Sequence, residues 1–190
     1  MAEDEVENLD RPSPPNLEGG VWQGPRVRLR PLADADLETR ARWTADDELA
    51  RLMGVDLAAE PLGTPEEMLA QNRAWFFRRR YQGGLLLALE AEGRYIGDLD
   101  VMEDEAERSA ELSLFIGDRT AWGKGYGTEA LKMLLGVLFA PDGPVDRVTV
   151  DVPAGNERAW RFYAKLGFTE YYADERGTRY LHLQRPGAAP

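Results

Sequence analysis

The segment Trp122-Gly123-Lys124-Gly125-Tyr126-Gly127-Thr128 sets three glycines at alternate positions directly ahead of an apolar stretch. Glycine has no Cβ, so its backbone N–H groups can come close to a ligand. A helix opening here leaves its first N–H groups without intrahelical partners, which suits an anionic group, and Lys124 adds positive charge. Three phosphate-loop patterns fail on spacing. The P-loop needs Gly-Lys followed by Ser or Thr, but Lys124 lies between glycines. A dinucleotide loop needs Gly where Thr128 stands. A protein kinase needs a His-Arg-Asp loop, and the only histidine is His182 near the C-terminus. A simple tight turn stays open as a reading. Further on, Asn156 and Tyr163 are seven residues apart, two helical turns, and share one helix face. A phenol of pKa about 10 on that face can act as a general acid if held near the group it protonates, or can simply pack in the core.

The rest of the composition narrows the chemistry. The 190 residues include no Cys and one His. Disulfides, a Cys nucleophile and a zinc finger are excluded, while a His-rich metal site and a Ser-His-Asp hydrolase are disfavoured, so no metal is expected. Hydrophobic residues make up 43%, enough for one globular core. No apolar run reaches the roughly 18 residues of a membrane span. The acidic N-terminus has no signal-peptide pattern, so a cytoplasmic protein is expected. The net charge of −11 argues against general electrostatic binding of nucleic acid. Six acids and one Arg within the first 18 residues supply −5 of it. With Pro12, Pro14 and Pro15 they describe a tail over residues 1–20 that cannot bury enough surface to order itself. The domain then spans 21–185, with a short C-terminal tail at 186–190.

The elements follow from periodicity. Arg26–Arg30 alternates as a strand and stops at Pro31. Asp34 to about Met53 has helical spacing. Thr64-Pro65-Glu66-Glu67 starts a second helix with an N-cap, a first-turn Pro and a capping-box Glu, running to Arg78-Arg79-Arg80. Leu85–Glu90, Tyr95–Met102 and Ala110–Ile116 form an antiparallel meander. A helix over Thr128–Phe139, a strand at Arg147–Val152, a helix over Asn156–Leu166 closed by Gly167, and a hairpin of Phe168–Tyr172 with Thr178–Leu183 complete the chain. This order predicts an α+β fold: a mixed, mostly antiparallel sheet of about six to seven strands with helices on both faces.

Two motifs carry a family resemblance. Gly123–Ala130, G-K-G-Y-G-T-E-A, resembles the acyl-CoA pyrophosphate loop of the GNAT acetyltransferase superfamily, whose pattern Q/R-x-x-G-x-G/A maps onto 122–127. Trp122 departs at the first position, as is usual in the branch that acetylates ribosomal-protein N-termini (RimJ/RimL-like). Asn156 to Phe168 resembles the family's N-x-x-A-x-x-x-Y-x-K-x-G-F helix. Val27–Leu32 and Tyr95–Asp98 also match this branch, so the resemblance covers about residues 21–184.

The resemblance implies the GNAT fold and acetyl transfer from acetyl-CoA to a primary amine. It implies that Leu114, Phe115, Ile116, Trp122, Gly123, Lys124, Gly125, Tyr126, Gly127, Thr128, Asn156, Arg158 and Tyr163 hold the cofactor. Tyr163 matches the family's general acid, and Asn156 its cofactor- or water-contacting Asn. Glu111 stands where this branch carries its catalytic Glu, with Asp98 and Asp100 as alternatives. An unshifted Glu near pKa about 4.3 needs burial or a water relay to deprotonate an ammonium. With no Cys available, direct transfer in a ternary complex is favoured over an acyl-enzyme. The acids between residues 98 and 111 would attract a cationic acceptor: a protein N-terminus, a polyamine or an aminoglycoside-like amine. A homodimer is compatible with the resemblance. The alternative function is a non-catalytic acyl-CoA sensor.

Overall fold

Hydrogen-bonding side chains at three places set where helices begin. In the computed structural model, which describes residues 20–187, Thr64 Oγ1 accepts the Glu67 N–H at 3.3 Å and Glu67 accepts the Thr64 N–H at 2.7 Å. This reciprocal capping box opens α3 (Pro65–Tyr81). Asn156 caps α5 (Glu157–Lys165) by accepting the Ala159 N–H at 3.0 Å. Asp46 does the same for Glu48 and Leu49, both at 3.0 Å. That third cap divides the single helix expected over 34–53 into a short 3-10 turn, α1 (Leu37–Thr44) and α2 (Asp47–Leu52). An Asp side chain that satisfies two N–H groups starts a new helix more readily than it continues an old one. The glycine loop runs into α4 (Tyr126–Leu138), two residues earlier than expected. Of the proposed tails, residues 1–19 and 188–190 lie outside the described residues.

The strands are β1 (Trp22–Gln23), β2 (Val27–Pro31), β3 (Leu85–Ala91), β4 (Arg94–Asp104), β5 (Ser109–Ile116), β6 (Arg147–Val152), β7 (Thr169–Ala173) and β8 (Arg179–Gln184). Among the described residues they form one sheet of eight, ordered β1-β2-β3-β4-β5-β6-β8-β7. The two-residue β1 raises the number above the expected six or seven. Every pairing is antiparallel except β5 with β6. The fold is therefore α+β with a mixed, mostly antiparallel sheet. No helix among the described residues is long and apolar enough to cross a membrane.

Alternation along the strands divides the core. On one face Leu86 and Ala88 of β3 pack with Leu32, Leu37 of α1 and Phe76 of α3. On the other, Leu87, Leu89, Leu99, Val148 and Val150 meet Leu131 and Leu134 of α4 and Tyr163 of α5. Fully burying one such leucine contributes about 1.5–3 kcal/mol. The β4–β5 pair is unusually close at Gly97: a Cβ there would lie 2.1 Å from the Phe115 carbonyl oxygen. Gly97→Ala is expected to force these strands apart and destabilise the fold by about 2–3 kcal/mol, roughly 5–10 °C in Tm. Calorimetry checks this; an unchanged Tm would mean that the strands separate freely.

Candidate active site

The parallel ladder between β5 and β6 is short. It pairs Ser109 with Arg147, Ala110 with Val148 and Glu111 with Thr149, and then stops. From Leu112 to Ile116 the β6-facing edge of β5 has no strand partner among the described residues. Two contacts show which backbone groups line that edge. The Ala110 carbonyl accepts from Thr149 Oγ1 at 3.4 Å, and the Ile116 carbonyl accepts the Trp122 indole N–H at 2.8 Å. Leu112 and Leu114 share their parity, so their N–H and C=O groups point into the gap. The gap opens as a cavity of about 270 Å³ whose wall includes Leu114, Phe115, Ile116, Trp122, Asn156, Arg158 and Tyr163.

Tyr163 is buried against Phe162 and Phe168, with ring centroids 5.0 and 5.3 Å away. Burial pushes its phenol well above the ordinary value, and the charge of Asp151 adds to this; the Leu114 N–H directed at the phenol oxygen opposes both. A protonated hydroxyl and the backbone N–H directed at it thus meet in the cavity wall. Asn156 uses both ends of its amide. Oδ1 caps α5, while Nδ2 donates to the Leu52 carbonyl at 2.8 Å and ties α5 to α2.

The glycine loop closes one end. Gly123 and Gly125 have φ of 74° and 83°, a left-handed backbone that glycine adopts without the Cβ penalty. A Cβ on Gly123 would meet nothing within 4 Å. The N–H groups of Gly123, Lys124 and Gly125 make no hydrogen bond among the described residues, and no side chain caps α4. Glu129 anchors this end by accepting the Arg26 and Val27 N–H groups at 2.8 and 3.1 Å. Lys124 is half-exposed and lies 3.6 Å from Glu92, which also accepts the Tyr126 hydroxyl at 2.6 Å. The Arg158 guanidinium stacks on Trp122, 3.5 Å from the ring centroid. Trp122, the residue that departs from the loop pattern, therefore links the loop to β5 and supports a cation. An open set of N–H groups beside two cationic side chains fits a diphosphate. Of the residues expected from the loop, β5 and α5, the cavity wall includes Leu114, Phe115, Ile116, Trp122, Asn156, Arg158 and Tyr163; Gly123, Lys124, Gly125 and Tyr126 are not in it, nor are Gly127 and Thr128, in the first turn of α4.

The acidic residues are placed differently. Asp98 pairs with Arg40 at 3.1 Å and accepts the Tyr95 hydroxyl at 2.8 Å. Asp100 pairs with Arg79 at 2.6 Å. Both are buried. Burial raises the Asp100 carboxyl above its usual range, while Arg79 pulls it down. The Glu111 side chain is 62% exposed, 3.9 Å from Arg79, and does not line the cavity. The turn that carries Asp104, Glu105 and Glu107 lies at the opposite end of the β4–β5 hairpin from Leu114, about 17 Å along the strand. The carboxylate in the cavity wall among the described residues is Asp151. Its signal is visible in the alternation of β6, where Val148, Val150 and Val152 turn to the core and Asp151 to the other face. It stands five residues before Asn156.

Comparison with known proteins agrees with this architecture. A mycothiol acetyltransferase from Kineococcus radiotolerans is 31% identical over 168 residues, covering 86% of this chain and 43% of that protein. The chain thus spans under half the length of that relative. A ribosomal L7/L12 alpha-N-protein acetyltransferase, RimL, solved with coenzyme A, superposes with a TM-score of 0.70 at 11% identity, covering 87% of this chain and 98% of that one. A spermidine N-acetyltransferase from Vibrio cholerae, solved with CoA and spermine, gives 0.69 at 17% identity, covering 86% and 98%. At these identities the two structures show a shared fold. Residues 26–169 match the Acetyltransferase (GNAT) domain, and on that match the chain belongs to the GNAT acetyltransferase family.

Proposed function

We propose that this chain transfers an acetyl group from acetyl-CoA to a primary amine, directly, in a ternary complex. The observation that carries the reading is the unpaired edge of β5, where the Leu114 N–H and the Tyr163 hydroxyl face one cavity beside the open glycine cradle. Acetyl-CoA supplies the acetyl group as a thioester. The N–H groups at 123–125, with Lys124 and Arg158, hold its diphosphate, and the gap-facing groups of Leu112–Ile116 hold the arm that leads to the sulfur. A gap-facing N–H of β5, fixed before reaction, stabilises negative charge on the carbonyl oxygen. Tyr163 protonates the departing thiolate. Asp151, in the cavity wall, takes a proton from the acceptor's ammonium, directly or through water, which frees the amine lone pair to attack the thioester carbonyl. Asn156 positions α5 in the cavity wall, binding protein through both ends of its amide. With no Cys in the chain, no side-chain thiol competes as nucleophile.

The acceptor is a primary amine of the kind the solved relatives name, a protein N-terminus or a small amine. The test is incubation of the chain with acetyl-CoA and a panel of peptide N-termini and small amines, following thiol release and the mass gain of an acetyl group. Acceptor-dependent release of thiol is expected. Tight acetyl-CoA binding without turnover on any amine would point instead to a binding module.

A further inference from the structure

A second cavity, of about 730 Å³, lies between α3 and the segment that joins α2 to it. It shares Arg40 and Met53 with the cleft at β5. Arg40 therefore stands where an incoming acceptor would meet the reacting groups. Its side chain is 8% exposed, and its guanidinium lies over the Trp75 ring at 4.0 Å. Nε donates to Asp98 at 3.1 Å and Nη1 to Asn72. Asn72 is held in turn by donating to Thr44 Oγ1 at 2.8 Å. One edge of the guanidinium is thus locked. Nη2 is not: it has no acceptor among the described residues, and it is not among the buried atoms sealed from solvent. Arg40 lines both cavities, and Nη2 is its nitrogen without a protein partner among the described residues.

Building on the acetyl-transfer reading, we infer that the acceptor amine carries a carboxylate, which Arg40 Nη2 binds as the amine enters. A guanidinium N–H that no protein group pairs is free to take a carboxylate, which satisfies it with a charge-assisted bond stronger than a neutral one. The acids that would recruit a polycation are already engaged. Asp98 and Asp100 are closed into pairs with Arg40 and Arg79, leaving Glu60 and Asp151 against Arg78 and Arg158 in the two walls. The cavities have no acidic well for a polyamine. The same chemistry is offered by a free amino acid and by a peptide whose first residue is acidic.

The test is made on the unaltered enzyme by comparing kcat/KM for matched pairs: amino acids against their amides, and peptides beginning with Asp against those beginning with Asn. Removing the carboxylate is expected to lower kcat/KM by about 10–100-fold, mainly through KM. The pair in which the ratio appears tells a free amino acid from a peptide. Arg40→Lys, which keeps the charge and loses Nη2, is expected to narrow the ratio. Equal kcat/KM within every pair, or spermidine as the best acceptor, would overturn the inference while leaving acetyl transfer intact. Turnover on no amine, with acetyl-CoA bound, would overturn acetyl transfer itself and the inference with it.

Discussion

Tyr163→Phe is expected to lower kcat by about 10²–10³-fold while changing acetyl-CoA affinity by less than about twofold, because a positioned general acid contributes on that scale to rate and little to ground-state binding. The substitution removes one oxygen and keeps the ring that packs between Phe162 and Phe168, so the cleft retains its shape. The leaving thiolate then departs without a proton. Burial raises the basicity of that thiolate along with the phenol, since both charged forms lose hydration, and transfer between them stays feasible. The pH dependence follows from the same shift. The folded pKa of Tyr163 lies above its unfolded value of about 10. The neutral phenol therefore stabilises the fold fully below that unfolded value, and the contribution is lost as pH rises through the folded pKa. Over neutral and mildly alkaline pH the group stays protonated, and its ionisation gives no alkaline fall in rate. Steady-state kinetics with a calorimetric Kd for acetyl-CoA checks both parts; unchanged kcat would remove Tyr163 from the acid role.

Asp151→Asn is expected to lower kcat/KM at neutral pH by about 10–100-fold, whereas Glu111→Gln changes it by less than about twofold. Asp151 is in the cavity wall and its charge reaches Tyr163. Glu111 points to Arg79 and solvent. The deficit of Asp151→Asn should shrink as pH rises, because an amine above its own pKa, about 8 for an α-amino group, no longer needs a base. A purely structural role would give a deficit independent of pH. A larger loss in Glu111→Gln than in Asp151→Asn would return the base role to β5.

These two carboxylates show what local pattern can and cannot reveal. Features that depend on near neighbours in the chain were readable before the fold was known. The Thr64–Glu67 capping box and the seven-residue step from Asn156 to Tyr163 are of this kind, as are the meander of β3 to β5 and the glycine loop. Features set by distant partners were not. Nothing near Asp98 or Asp100 announces that Arg40 and Arg79, from separate helices, close over them. Nothing in β5 or β6 says that their ladder ends after three pairs. The place of an acid in the sheet depends on that ending, so Glu111 and Asp151 could not be ranked from spacing alone. The break before α2 is an intermediate case: the Asp46 cap is local in the chain, but the apolar periodicity runs across it.

The brevity of the β5–β6 ladder has a mechanical consequence. The sheet is two half-sheets, β1–β5 and β6–β8, pivoted on three residue pairs. Backbone hydrogen bonds fix the geometry within each half, whereas side-chain volume under α4 sets the angle between them, through a core that joins strands of both. Close-packed interiors transmit changes of a single methylene. Core positions such as Leu131 and Leu134, which touch no reacting atom, thus act as shims on the jaw of the cleft, and evolution can retune the site's aperture from there without altering a residue that lines it.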